Sequence, residues 1–198
     1  MAELNLDKVA QVRRNMPVEV HRRPDLFALA TRDDFQVGNT EETDQKTFQF
    51  GDFDIPGKSV VFTSRCSIVI VNRKPVVSGH LLVIPKVPVK RVQDLSVDQV
   101  QDLFLSVQAA QKLTESFFRA ESSTLAVQDG PDAGQTVAHV HVHVLPRKPN
   151  DFAKNDDIYE ELQTHDKGEN IQWRPYEEMF EEASLLREHF KKSKIQPA

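Results

Sequence analysis

His139-Val140-His141-Val142-His143-Val144-Leu145 gathers three of the chain's seven histidines into five positions and separates them with valines. Side chains on a strand alternate between its two faces, so strand geometry points the three imidazoles one way and Val140, Val142 and Val144 the other. The valine face suits burial against a helix. The histidines then form a row, about 6.5–7 Å from one to the next. Three aligned imidazoles repel one another when protonated, so some stay neutral near pH 7 and can serve as nucleophile or base. Three readings fit the pattern: a solvent-facing strand that happens to be rich in histidine, a zinc site built on the H-x-H spacing, or covalent phosphoryl chemistry on an imidazole. No carboxylate within the strand supplies the outer partner that a zinc-bound imidazole normally has.

The segment running into this strand, Asp129–Thr136 (DGPDAGQT), is rich in turn formers. Gly130 and Gly134 permit unusual backbone angles, which lets successive N–H groups converge on an anion. Beside three histidines this loop reads as a phosphate cradle, although it lacks the Gly-Lys-Ser/Thr of a P-loop. Further out, Thr47–Phe50, Ser59–Thr63, Ser67–Val71, His80–Ile84 and Thr124–Gln128 read as strands with short connections, which favours antiparallel pairing. Ser96 and Gln99 form a capping box for a helix expected to reach about Phe118, with Val97, Val100, Leu103, Phe104, Val107, Ala110 and Leu113 at helical spacing. A late helix is expected from Pro175, with Met179, Ala183, Leu186 and Phe190 on one face. The expected fold is α+β: an antiparallel sheet of about five strands, one long helix on a face, a C-terminal helix, and the histidine row near the sheet edge.

Composition narrows the function classes. The chain has 198 residues, 39% of them hydrophobic and 28% charged, so it can bury a core. The formal net charge is −5, which argues against a broad basic surface for DNA or RNA. Residues 49–150 carry 11 Lys+Arg against 9 Asp+Glu, so an anionic ligand is sought there. No apolar stretch approaches a membrane span, and MAELNLDKVA has no apolar run of the kind a secretory leader needs. A lone Cys66 offers neither an internal disulfide nor a cysteine-based zinc framework. The expected setting is cytoplasmic, or nuclear as well.

AGQTVAHVHVHVLPRK resembles the signature His-φ-His-φ-His-φ-φ of the histidine triad superfamily. VNRKPVVSGHLLVIP (Val71–Pro85), QDGPDAGQT (Gln128–Thr136) and NDDIYEELQTHDK (Asn155–Lys167) resemble blocks of its fragile histidine triad (Fhit) branch. The resemblance implies a dinucleoside polyphosphate hydrolase that cleaves diadenosine triphosphate to AMP and ADP, and a homodimer. It implies that His141 is the nucleophile, forming a nucleotidyl-histidine intermediate, that His143 assists the leaving group, and that His139 orients the site. Asn72, Gln128, Gly134, Gln135, Thr136 and Val137 would contact substrate together with His143, and His80 matches a family histidine with a substrate or structural role. Tyr159 falls where the branch carries a phosphorylated tyrosine. No cofactor is required, and a divalent cation (magnesium or manganese) would come only with the substrate's phosphates. One departure is Phe53, at a position where the branch aligns a substrate-side histidine. Two other outcomes remain: a nucleotide-binding signalling module whose bound complex is the message, and a zinc enzyme on the triad.

LDKVAQVRRNMPVEVHRRPDLFALA (Leu6–Ala30) resembles the C-terminal end of Nit-type nitrilase domains, which invertebrates fuse ahead of an Fhit domain. The nitrilase cysteine, glutamate and lysine machinery is not in this stretch, so it would be the tail of a nitrilase-like domain lying upstream in a full-length fusion. Such a tail docks poorly without its domain. The implied organisation is 1–46 nitrilase-like remnant plus linker, 47–154 histidine triad domain, and 155–198 flexible loop and C-terminal helix.

Overall fold

The computed structural model describes residues 40–165, 167, 172–193 and 195. The nitrilase-like stretch Leu6–Ala30 lies outside the described residues. A short helix α1 (Thr40–Asp44) opens the described chain, at the end of the stretch 1–46 read from sequence as remnant plus linker. Glu41 and Glu42 in its first turn favour that helix through its dipole, and Asp44 pairs with Arg187 at 2.5 Å. A hairpin follows, β1 (Thr47–Phe50) with β2 (Phe53–Pro56). Then come β3 (Val60–Thr63), β4 (Ser67–Val71), β5 (Leu81–Pro85), α2 (Val97–Phe118), β6 (Ser122–Ala126), β7 (Val142–Arg147), α3 (Asp157–Thr164) and α4 (Tyr176–Ser193).

The main sheet is five-stranded and antiparallel, in the order β3-β4-β5-β7-β6. Two expectations need correction. Thr47–Phe50 leaves the main sheet and pairs with Phe53–Pro56 in a separate two-stranded hairpin. The histidine strand is not at the edge, since β7 lies between β5 and β6.

Strand alternation sorts the apolar side chains between the two faces of the sheet. Val69, Val71, Leu81, Val83, Val142 and Val144 pack with Leu103, Val107, Ala110 and Leu113 of α2 and with Met179, Ala183, Leu186 and Phe190 of α4. The capping box forms as expected: Ser96 Oγ accepts from the Gln99 N–H, and Gln99 Oε1 accepts from the Ser96 N–H. The stripe on α2 is narrower than the sequence suggested, because Val97 and Phe104 are exposed. Helical spacing alone does not reveal how far the sheet extends beneath the helix.

Ile68, Ile70, Leu82 and Ile84 point to the other face, where Phe50, Phe48 and Ile55 of the hairpin cover them. Beside that patch Leu145 packs with Ile158 and Leu162 of α3 and with Val76, Val77 and Phe152. The second face is therefore roofed twice, by the hairpin at one end and by α3 at the other. The segment expected as a flexible loop thus contains a helix with a buried apolar side.

Candidate active site

The histidines lie on the second face, between the two roofs. Only His143 belongs to β7 itself; His139 and His141 precede the strand, His139 at the end of a bend whose Val137 carbonyl accepts from its N–H. All three are buried, at 0%, 4% and 2% exposure, so the solvent-facing reading of this strand fails. Val140, Val142 and Val144 take the opposite side and join the core on α2, as the alternation required.

Backbone partners of His139, His141 and His80 set the tautomers. The Gly51 N–H donates to His139 Nδ1 at 3.1 Å, so the proton of a neutral His139 sits on Nε2, which donates to the Pro85 carbonyl at 2.9 Å. Burial lowers the pKa of His139, keeping it neutral. Both nitrogens are thereby committed: His139 ties the β1–β2 hairpin to the end of β5 and holds Phe50 against the triad, 5.1 Å edge-on to the His141 ring.

His141 is set the other way. Its Nδ1 donates to the His139 carbonyl at 2.8 Å, so in the neutral ring Nε2 carries the lone pair. His143 is set by a relay from outside the triad. The Val76 N–H donates to His80 Nδ1 at 3.2 Å, so His80 carries its proton on Nε2 and donates to His143 Nδ1 at 2.9 Å. The proton of a neutral His143 must then be on Nε2. That Nε2 is buried and has no hydrogen-bond partner among the described residues. Desolvation, with neighbouring His141 and His165, pushes His143 down to about 3. Desolvation, then the charges of His143, His165, His141 and Arg174, holds His80 well below the usual imidazole range. The consequence is an alternation of roles: a nitrogen lone pair on His141 stands beside an N–H donor on His143, with ring centroids 4.9 Å apart.

His141 and His143 line a cavity of about 450 Å³. Its walls include Phe50, Ile55, Ile70 and Leu82, an apolar slot of the size and character that receives a nucleobase or nucleoside. Asn72, Thr136 and Val137 line it as well, whereas His139, His80, Gln128, Gly134 and Gln135 do not. Asn72 Oδ1 accepts from the Lys74 N–H at 2.9 Å. Phe53, the departure from the family pattern, is exposed at the cavity's edge.

The Asp129–Thr136 loop has the expected positive φ at Gly130 (105°) and Gly134 (91°). Its amides are used inwardly, however. The N–H groups of Ala133 and Gln135 donate to the Gly130 carbonyl, and that of Gly134 to the Pro131 carbonyl. The Gln135 side chain accepts from the Gly130 N–H and donates to the Lys90 carbonyl. The loop is braced by its own residues, which leaves Thr136 and Val137 as its contribution to the cavity wall.

Sequence reasoning missed His165, Arg73, Trp173 and Tyr176 among the cavity residues. His165 closes α3 and lines the cavity; Arg73, Trp173 and Tyr176 gather at its rim, with the Arg73 guanidinium 5.6 Å and 4.7 Å from the two ring centroids. His165 lay within the quoted block NDDIYEELQTHDK, but nothing in helical spacing signals that a helix-ending histidine folds back onto a strand. Both nitrogens of His139 are taken by backbone partners, and among the described residues no three of His, Cys, Asp or Glu are grouped as a metal-ligand set.

A five-stranded antiparallel sheet, one long capped helix and three buried histidines of alternating hydrogen-bond role define a histidine triad domain. The HIT domain family model matches residues 54–150, and the chain belongs to that family. Within it, the chain is 44% identical over 148 residues to the bis(5′-adenosyl)-triphosphatase of Dictyostelium discoideum, covering 96% of that protein and 75% of this one. It is 40% identical over 186 residues to the nitrilase and fragile histidine triad fusion protein NitFhit of Caenorhabditis elegans, covering 94% of this chain and 40% of that protein. The chain thus spans less than half the length of that fusion. The crystal structure of C. elegans NitFhit superposes with a TM-score of 0.66 at 35% identity, over 95% of this chain and 39% of that one. That of the Plasmodium falciparum diadenosine triphosphate hydrolase gives 0.62 at 30% identity, over 75% and 89%. The fold expected from sequence and the Nit–Fhit relationship both stand.

Proposed function

We propose that the chain is a dinucleoside polyphosphate hydrolase that cleaves diadenosine triphosphate to AMP and ADP through a nucleotidyl-histidine intermediate on His141. The observation that carries this reading is the pairing of opposite tautomers in one cavity. His141 Nε2 attacks the α-phosphorus and forms an N–P bond while the bond to the bridging oxygen breaks. The departing ADP oxygen takes a hydrogen bond, or the proton, from His143 Nε2–H. Water then attacks the phosphorus of the intermediate, releasing AMP and restoring the imidazole. Dividing one displacement into two replaces a weak nucleophile, water, by an imidazole held in place at the first step. The apolar slot beneath the hairpin receives the adenosine, with Thr136 and Val137 at the phosphate side. The names of the Dictyostelium and Plasmodium relatives support the substrate class.

The test is incubation with diadenosine triphosphate while AMP and ADP are followed. The wild type should release both in equal amounts, and His141→Ala should lose more than about 10³-fold in kcat while still binding substrate. A wild type that binds without cleaving, or a His141→Ala variant of undiminished rate, would overturn the assignment.

The chain is expected to act as a homodimer. In support, β6 is an edge of the sheet and exposes Leu125, with Val127 exposed just beyond its end, an apolar edge suited to a second copy. Sedimentation at micromolar concentration decides this, a monomer being the contrary result.

A further inference from the structure

The relay that orients His143 begins at the Val76 amide and passes through His80, and one element packs on both of its ends. Ile158 and Leu162 of α3 bury themselves against Val76, Val77 and Leu145. This seats the helix on the residue that supplies the first donor of the relay, and it brings the helix end over the two imidazoles. There the chain turns at His165. Its N–H donates to the Glu161 carbonyl, and its Nδ1 donates to the Leu162 carbonyl at 2.9 Å, so the ring is oriented by its own helix end. The ring stands edge-to-face on His143, centroids 5.9 Å apart at 78°, and 5.8 Å from His80. It is buried and forms part of the cavity wall.

We infer that His165 is a positioning residue for the proposed hydrolysis: its ring walls the His80–His143 pair off from water and keeps the His143 Nε2–H aimed at the departing oxygen. The inference rests on the reading of His143 as leaving-group donor. A neutral imidazole has two tautomers of similar energy in water, and the wrong one at His143 would present a lone pair to an oxygen that needs a hydrogen bond. Exclusion of water makes the relay from Val76 decisive, because a solvated His80 or His143 finds alternative partners at little cost. His165 contributes bulk and an edge to that enclosure, and α3 holds it there.

Two substrates and two substitutions separate this from a general structural role. With diadenosine triphosphate, His165→Ala should lower kcat about tenfold, a fraction of the 10²–10⁴ typical of a complete proton-transfer contribution, with KM changed by less than about twofold. With adenosine 5′-(2,4-dinitrophenyl phosphate), whose phenolate departs without a proton, the loss should stay below about threefold. His165→Phe keeps the wall and should restore most of the rate. Nitrogen-15 spectra should show His143 protonated at Nε2 in the wild type and in His165→Phe, and averaged between tautomers in His165→Ala. If the alanine variant does not fold, the spectra and rates of His165→Gln take its place. Equal losses on both substrates, a change confined to KM, or an unaltered His143 tautomer would overturn the inference. A wild type that cleaves neither substrate would instead overturn the hydrolase reading, and the spectra would still judge the role of His165.

Discussion

Acid should unfold this protein early, because its buried histidines are held neutral. His143 titrates at about 3 in the folded chain, against about 6.5 when unfolded. A folded pKa below the unfolded value means that the unfolded chain binds a proton first as pH falls. The stabilisation is therefore complete above about pH 7 and drains away as pH falls from about 6.5 towards 3. Between pH 8 and pH 5 the unfolded histidine becomes almost fully protonated while the folded one stays neutral, and His143 alone then removes about 2 kcal/mol. His80 and His139 shift in the same direction, so the whole protein loses more. The carboxylates act in a separate window: Asp151, held at about 2 by its hydrogen bond to Arg147, matters only below about pH 4. The assay is reversible urea unfolding at pH 8, 7, 6 and 5, for the wild type and for His143→Asn, whose amide oxygen can still accept from His80. The variant should lose about 2 kcal/mol less over that range. Identical pH dependence in the two proteins, or a wild type as stable at pH 5 as at pH 8, would refute the assignment of His143 as buried and neutral.

Other expectations follow from single contacts. His80→Phe removes the donor to His143 Nδ1 while keeping bulk, and should lower kcat roughly 10- to 100-fold with KM little changed, as read by steady-state kinetics on diadenosine triphosphate. His139→Phe leaves the Gly51 N–H and the Pro85 carbonyl without their partner. It should cost about 2–3 kcal/mol in urea unfolding and speed hydrogen exchange at the Gly51 amide. Gly79 has φ +84°, and a Cβ there would stand 2.4 Å from the Phe118 ring. Gly79→Ala should therefore destabilise by about 2–4 kcal/mol, and a midpoint unchanged from wild type would show that the turn before β5 can shift.

The features readable from the sequence are those that depend on neighbours a few residues apart. Helical spacing and the Ser96–Gln99 box placed α2, and Met179, Ala183, Leu186 and Phe190 gave the buried side of α4. Strict alternation put the triad valines on the helix side and the imidazoles on the other. What the sequence did not convey is which segments cover that other face. Thr47–Phe50 has strand periodicity whether it joins the main sheet or folds into its own hairpin, and only the packing of Phe48, Phe50 and Ile55 on the second face decides between them.

The same division runs through the site. By itself the sequence determined that three histidines share one side of an extended segment beside a glycine-containing loop, because side-chain direction on an extended chain is a local property. Tertiary structure decided what each histidine does. The proton on His143 is placed by His80, 63 positions away, and the one on His139 by Gly51, 88 positions away. His165 reaches the site only because α3 lies back over the sheet. An imidazole's two nitrogens are nearly equivalent until something fixed hydrogen-bonds to one of them, and in this fold those fixed partners come from distant strands and turns.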